Sequence, residues 1–185
     1  PSADVTARCL GMLAQLGYDR SHPTVTRSLE YLKRQQEEDG SWFGRWGTNY
    51  VYGTWSVLSA LNAIGEDPGS PYIRKAVEWL KSCQRDDGGW GEDCSSYWPE
   101  RKGDDAKVST PSQTAWAVLG LMAAGEVDGE HVRRGIGYLL EAPRDGGKWR
   151  ETHYNAVGFP KVFYLTYHGY SAYFPRWALA RYRNL

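Results

Sequence analysis

Nine tryptophans, thirteen tyrosines and four phenylalanines make 14% of this 185-residue chain aromatic, more than a core alone calls for and suited to a lined cavity or stacked surface. Other side chains with reactive potential are scattered. Asp86-Asp87 and Asp104-Asp105 are carboxylate pairs in turn-like sequence, and Glu92-Asp93 follows a Gly-Trp-Gly turn, where capping the next helix is the simplest role. His22, His131, His153 and His168 show no HExxH spacing, which leaves them as surface or core histidines. Cys9, Cys83 and Cys94 lack CxxC spacing and form an odd set, so they read as buried thiols rather than a disulfide framework, and a reducing compartment fits them.

Lysine plus arginine equals aspartate plus glutamate at 22 each, so there is no basic stripe to attract nucleic acid. No apolar run reaches membrane-spanning length, and no signal segment opens the chain.

The positioning elements repeat. Thr6, Leu13 and Gly17 recur as Thr54, Leu61 and Gly65, then as Thr114, Leu121 and Gly125, marking three helices rich in small residues that read as inner and buried. Between them, Val25, Leu29 and Leu32, then Ile73, Val77 and Leu80, then Val132, Ile136 and Leu139 place an apolar stripe opposite charged residues, as outer helices require. Ser70-Pro71 and Thr110-Pro111 supply a cap and a first-turn proline. Each outer helix runs into a glycine turn that ends in tryptophan: Gln36 to Trp42, Gln84 to Trp90, and Pro143 to Trp149. The alternation predicts an all-α fold, an α/α toroid with three helix pairs and a partial fourth, incomplete in this chain. The partial fourth runs from Val157 to Leu185, broken by Pro160 and Pro175.

The phrase QEEDGSWFGRWGTNYVYGTWSVLSALNAIG resembles the squalene-hopene cyclases, bacterial class II triterpene cyclases, and GGWGEDCSSY, STPSQTAWAVLGLMAAGEV and GFPKVFYLTYHGY match that family in the same order. By this resemblance the whole chain, 1–185, is the C-terminal portion of a terpene cyclase α/α-barrel domain. Gln36 with Trp42, Gln84 with Trp90, and Trp149 are structural QW positions, in which a glutamine amide stacks on the ring and ties outer-helix ends together. Pro143 stands where the third repeat wants Gln. The resemblance implies cation-driven cyclisation of squalene or another polyprenoid to hopene or hopanol. It also implies no metal or other cofactor, monotopic association with one leaflet of the bacterial cytoplasmic membrane on its cytoplasmic side, and a homodimer.

Such an enzyme stabilises positive charge in a dry cavity without offering a nucleophile, and a desolvated aromatic face supplies about 2 kcal/mol toward that. Trp46, Tyr52, Phe159, Phe163, Tyr167 and Tyr170 match family positions that line the cavity and stabilise cations, with Tyr167 and Tyr170 expected to buttress the two phenylalanines. Asp4 and Arg8 match positions that support the protonating acid. Arg8 stands where well-known members carry His, and at i, i+4 the two residues could pair with each other. The family's Asp-x-Asp-Asp acid motif is absent from these residues, which implies that it precedes them and that the chain alone is inactive. Two other readings compete: a zinc-dependent protein prenyltransferase β-like subunit using Glu92, Cys94 and His168, and a non-catalytic aromatic binding or scaffold module.

Overall fold

The computed structural model describes residues 1–103 and 108–185. The pair Asp104-Asp105 lies outside the described residues. Among the described residues seven helices carry the fold: α1 (Ala3–Gln15), α2 (Pro23–Arg34), α3 (Tyr50–Ala63), α4 (Pro71–Ser82), α5 (Pro111–Ala123), α6 (Glu130–Glu141) and α7 (Tyr170–Arg183). Two 3-10 turns, Cys94–Tyr97 and Pro99–Arg101, lie between α4 and α5.

Helices α1, α3, α5 and α7 stand side by side as an inner row, with α2 on α1, α4 against α3 and α5, and α6 on α5. This is an arc of an α/α toroid, as the alternation predicts. All thirteen residues of α5 are buried and α3 is nearly so, because each lies between two inner neighbours and an outer layer. The outer helices bury the predicted stripes: Val25, Leu29 and Leu32 on α2, Ile73, Val77 and Leu80 on α4, and Val132, Ile136 and Leu139 on α6.

The template residues act at the helix ends. Gly17, Gly65 and Gly125 take left-handed backbone at φ 85°, 76° and 86°. The next residue's N–H then returns to the carbonyl of Leu13, Leu61 or Leu121, which closes each helix in a Schellman-type cap. Template threonines clasp the repeat tryptophans: the Trp42 and Trp90 backbone N–H groups donate to Thr54 Oγ1 and Thr114 Oγ1, both at 3.0 Å.

Four departures from sequence expectation lie in the framework of the fold. Thr110 caps α5 through Gln113 N–H, but the Ser70 side chain makes no capping bond, and only the first-turn Pro71 of that pair acts as expected. The thiols are less buried than predicted: Cys9 is exposed, and Cys83 and Cys94 are half-buried. Pro175 does not break the last segment. It sits inside α7, where its missing N–H forgoes one bond of the ladder and the helix continues to Arg183. Ahead of α7 the chain forms two antiparallel hairpins, β1 (Arg144–Asp145) with β2 (Lys148–Trp149), and β3 (Ala156–Phe159) with β4 (Phe163–Leu165). The β3–β4 turn takes Lys161 through φ 67° directly after Pro160.

Candidate functional site

Trp42, Trp90 and Trp149 occupy equivalent places, each indole Nε1 donating to the carbonyl of Leu32, Leu80 or Leu139 in the last turn of the preceding outer helix, at 2.7, 2.7 and 2.8 Å. Gln36 Nε2 donates to the Gly40 carbonyl (2.9 Å) and to Tyr72 in the first turn of α4 (2.8 Å). Gln84 Nε2 repeats this with Gly88 (2.8 Å) and His131 in the first turn of α6 (2.9 Å). The glutamines therefore tie successive outer helices by hydrogen bonds to backbone carbonyls. At the third repeat Pro143 offers no such bond. Arg144 lies 4.8 Å from the Trp149 ring centroid and Arg176 of α7 5.8 Å from it, so two guanidinium groups flank that ring. Truncating Gln84 to Ala should lower stability by about 1–3 kcal/mol, because the Gly88 and His131 carbonyls lose their partner. A denaturant midpoint shift with an unchanged slope checks this.

The six residues expected to line a cavity separate in the structure. Tyr52, on α3, and Tyr170, at the start of α7, belong to a packed array of rings. Tyr52 lies 5.0 Å from Trp116, which stacks on Trp55 at 6.0 Å and 11°. Trp116 meets Tyr170 at 5.7 Å and Phe174 at 5.4 Å, and Trp55 meets Phe174 at 5.1 Å and Trp177 at 6.0 Å. Trp55 and Trp116 were not legible as members of this array, since α3 and α5 are apolar on nearly every side, and Phe174 and Trp177 stand in α7, where aromatic and arginine residues mix without a clear period. Gly120 lets the two tryptophan helices close up, for a Cβ there would lie 3.3 Å from Trp55 Cα.

Trp46, Phe159 and Phe163 form the second group. Loop residues 46–48 pair with the start of β3: Val157 N–H donates to the Trp46 carbonyl (3.1 Å), Thr48 N–H to the Asn155 carbonyl (3.3 Å), and Gly47 bridges Ala156. Arg45 lies between the rings, 4.3 Å from Trp46 and 5.7 Å from Phe159, and donates to the Gly158 carbonyl at 3.1 Å. Phe159 and Phe163 are 5.7 Å apart. The tip of the Phe163 ring sits against Gly158, where any Cβ would clash with Cζ and the two Cε atoms. Trp46, Phe159, Phe163 and Tyr167 are 48, 59, 45 and 48% exposed, so they present an open aromatic face. Tyr167 touches Tyr170 at 5.1 Å, and Tyr170 touches Phe174 at 5.0 Å. The two tyrosines thus join the packed array, and among the described ring contacts they do not support the phenylalanines as expected.

Asp4 and Arg8 do not pair. The buried Asp4 carboxylate accepts from Ser2 Oγ (2.5 Å), Val5 N–H (2.9 Å) and Trp46 N–H (2.8 Å), which ties α1 to the Trp46 loop. Arg8 points the other way, its guanidinium 4.1 Å over Trp55 and 5.8 Å from Tyr52. Burial pushes the Tyr52 phenol up, partly offset by Arg8, and burial with the neighbouring Tyr52 and Tyr167 pushes Tyr170 to about 12. Both phenols therefore stay protonated at neutral pH.

Glu92 is committed elsewhere than the zinc reading needs. Its two oxygens accept from the backbone N–H groups of Asn49 (3.2 Å), Tyr50 (3.0 Å) and Val51 (2.7 Å), so it caps α3, an earlier helix, while Asp93 caps the following 3-10 turn. Among the described residues no three His, Cys, Asp or Glu side chains gather as a metal site. The same capping recurs two residues after Trp149, where Glu151 accepts from Ser112 N–H (3.1 Å) and Oγ (2.6 Å) at the start of α5.

A family model described as the squalene-hopene cyclase C-terminal domain matches residues 1–184. A probable squalene-hopene cyclase of Sinorhizobium fredii is 60% identical over all of this chain and 29% of its own length. The squalene-hopene cyclase of Zymomonas mobilis is 55% identical over all of this chain and 28% of its own. The chain thus spans less than a third of these relatives. An ent-copalyl diphosphate synthase structure from Streptomyces platensis matches with a TM-score of 0.68 at 20% identity, over all of this chain and 34% of that one, a likeness of fold.

Proposed function

Because the chain belongs to the squalene-hopene cyclase C-terminal domain family, we propose that it forms part of the aromatic wall of a cavity in which a complete cyclase folds squalene, or a related polyprenoid, and closes its rings through successive carbocations to hopene or hopanol. The supporting observation is the unbroken series of ring contacts from Tyr52 through Trp55 and Trp116 to Tyr170 and Phe174, adjoining the open face of Trp46, Phe159 and Phe163. Ring faces attract a developing cation without trapping it, and phenols held protonated by burial contribute a face rather than a phenolate nucleophile. The residues 1–185 act as a C-terminal portion of one α/α-barrel domain. Protonation of the terminal double bond falls to an acid outside them, with Asp4 and Arg8 beside it as supporting groups.

Gas chromatography after incubation of the complete enzyme with squalene tests this reading. Polycyclic products are expected, and recovery of unchanged squalene overturns it. The 185 residues by themselves should give no turnover, since they lack an Asp-x-Asp-Asp acid to protonate a weakly basic double bond. Turnover by this chain alone would refute the assignment of the acid.

The same family resemblance supports a homodimer bound to one leaflet of the bacterial cytoplasmic membrane, on the cytoplasmic side. No helix among the described residues is long and apolar enough to cross a membrane. Co-sedimentation of the complete protein with lipid vesicles checks the leaflet placement.

A further inference from the structure

Asn155, a residue with no ring and no charge, sits where three parts of the molecule meet. Its side chain is buried, 1% exposed. Its Oδ1 accepts from Tyr167 N–H at 2.8 Å, and its Nδ2 donates to the Tyr167 carbonyl at 3.4 Å and to Glu151 Oε1 at 3.3 Å. Its backbone N–H donates to the Leu165 carbonyl (3.2 Å), and its carbonyl accepts from Thr48 N–H (3.3 Å). One residue thus holds both backbone polar groups of Tyr167, the end of the strand that carries Phe163, and the loop that carries Trp46. Glu151 anchors this hub in turn, because its other oxygen caps α5, the helix of Trp116.

We infer that Asn155 is the positioning residue that fixes Tyr167 and the Trp46 loop relative to each other, with Glu151 as the anchor that orients its amide. The inference rests on the proposed cyclisation for its functional consequence but not for its geometry. No apolar or hydroxyl side chain of similar size can serve, because the site needs an acceptor for Tyr167 N–H and a donor for Glu151 on the same group. Burial pushes the Glu151 carboxyl up, against the lowering effect of its bonds from Ser112 and Asn155 and of the nearby His153 charge. Tyr138 of α6 also interacts with that carboxyl, and Asp145, Lys148, Arg150 and His168 line the same cleft.

Asn155→Asp makes the test, because it keeps the acceptor and replaces the donor by a second carboxyl beside Glu151. At low pH the two carboxyls share a proton that stands in for the amide hydrogen. As pH rises the shared proton leaves and two like charges face each other, so the arrangement is lost upward in pH. The wild type carries the same histidines and lysine, and its own profile is the control.

In the complete enzyme, Asn155→Asp should match the wild-type product ratio near about pH 5 and give about tenfold more partially cyclised product near about pH 8. Asn155→Ala should show the altered ratio at both pH values. Hydrogen exchange reads the geometry without any turnover: the Tyr167 amide, which loses its side-chain acceptor, should exchange about tenfold faster in Asn155→Ala, while the Thr48 amide keeps the backbone carbonyl of residue 155 and those of α2 and α4 are unchanged. A pH-independent product ratio for Asn155→Asp overturns the inference, as does unchanged exchange at Tyr167. If the wild type cyclises nothing, the proposed function fails while the exchange measurement still decides the positioning role.

Discussion

Phe163→Ala in the complete cyclase should release partially cyclised hydrocarbons, with substrate consumption falling less than product fidelity. Ring closure passes through cations in turn, and a ring that faces one of them lowers the barrier at that stage alone, so its removal diverts flux without blocking initiation. Loss of one desolvated aromatic face, about 2 kcal/mol, corresponds to roughly a thirtyfold change in partition at the affected step. Phe163→Tyr and Phe163→Trp should largely retain full cyclisation, because both keep a π face. Gly158→Ala gives an independent check, since the added Cβ must displace the Phe163 ring without deleting it. It should divert products in the same direction. An unchanged spectrum from Phe163→Ala, read by gas chromatography, would reduce the side chain to packing.

The second large effect concerns stability. Trp116→Ala should destabilise the fold by about 3–5 kcal/mol, because the side chain is fully buried and its loss leaves Trp55, Tyr52, Tyr170 and Phe174 facing a void. Chemical denaturation of the complete protein should show this as a lowered midpoint. Trp177→Ala, at a ring 45% exposed on the rim of the array, should have a much smaller effect. Equal losses at the two positions would mean that the array does not bear the helix contacts described for it.

The helices were legible because their signals are local. Thr54, Leu61 and Gly65 act within one helix and its neighbouring turn, and the stripes of α2, α4 and α6 follow the helical period. Trp46, Phe159 and Phe163 came from family resemblance, and the structure gathers them by pairing loop 46–48 with β3, a contact more than a hundred residues long that no local pattern encodes. The β3–β4 hairpin was hidden by its brevity, since Ala156–Phe159 and Phe163–Leu165 are too short for alternation to stand out among surrounding aromatics. Glu92 was recognised as a cap but given the wrong helix, because the N–H groups it satisfies lie about forty residues earlier. Asn155 carried no signal at all. Its importance comes from the meeting of three segments, which exists only in the folded chain.

The turns between repeats bear on how the arc deforms. Gly40 abuts the Lys75 backbone and Gly88 the Arg134 backbone, and in each case a half-buried glutamine latches the turn onto the next outer helix. The third turn meets α7 instead, through an exposed Arg176 that reaches the Gly147 carbonyl. Mechanically, the arc is a series of links whose stiffness is unequal: two are tied by half-buried amides, and the last is held by an exposed guanidinium, the weaker fastening in water. Compliance therefore concentrates where α7 joins the third repeat. A bulky occupant pressing on Tyr170 and Phe174 would widen the bore at that joint while the first two links keep their spacing.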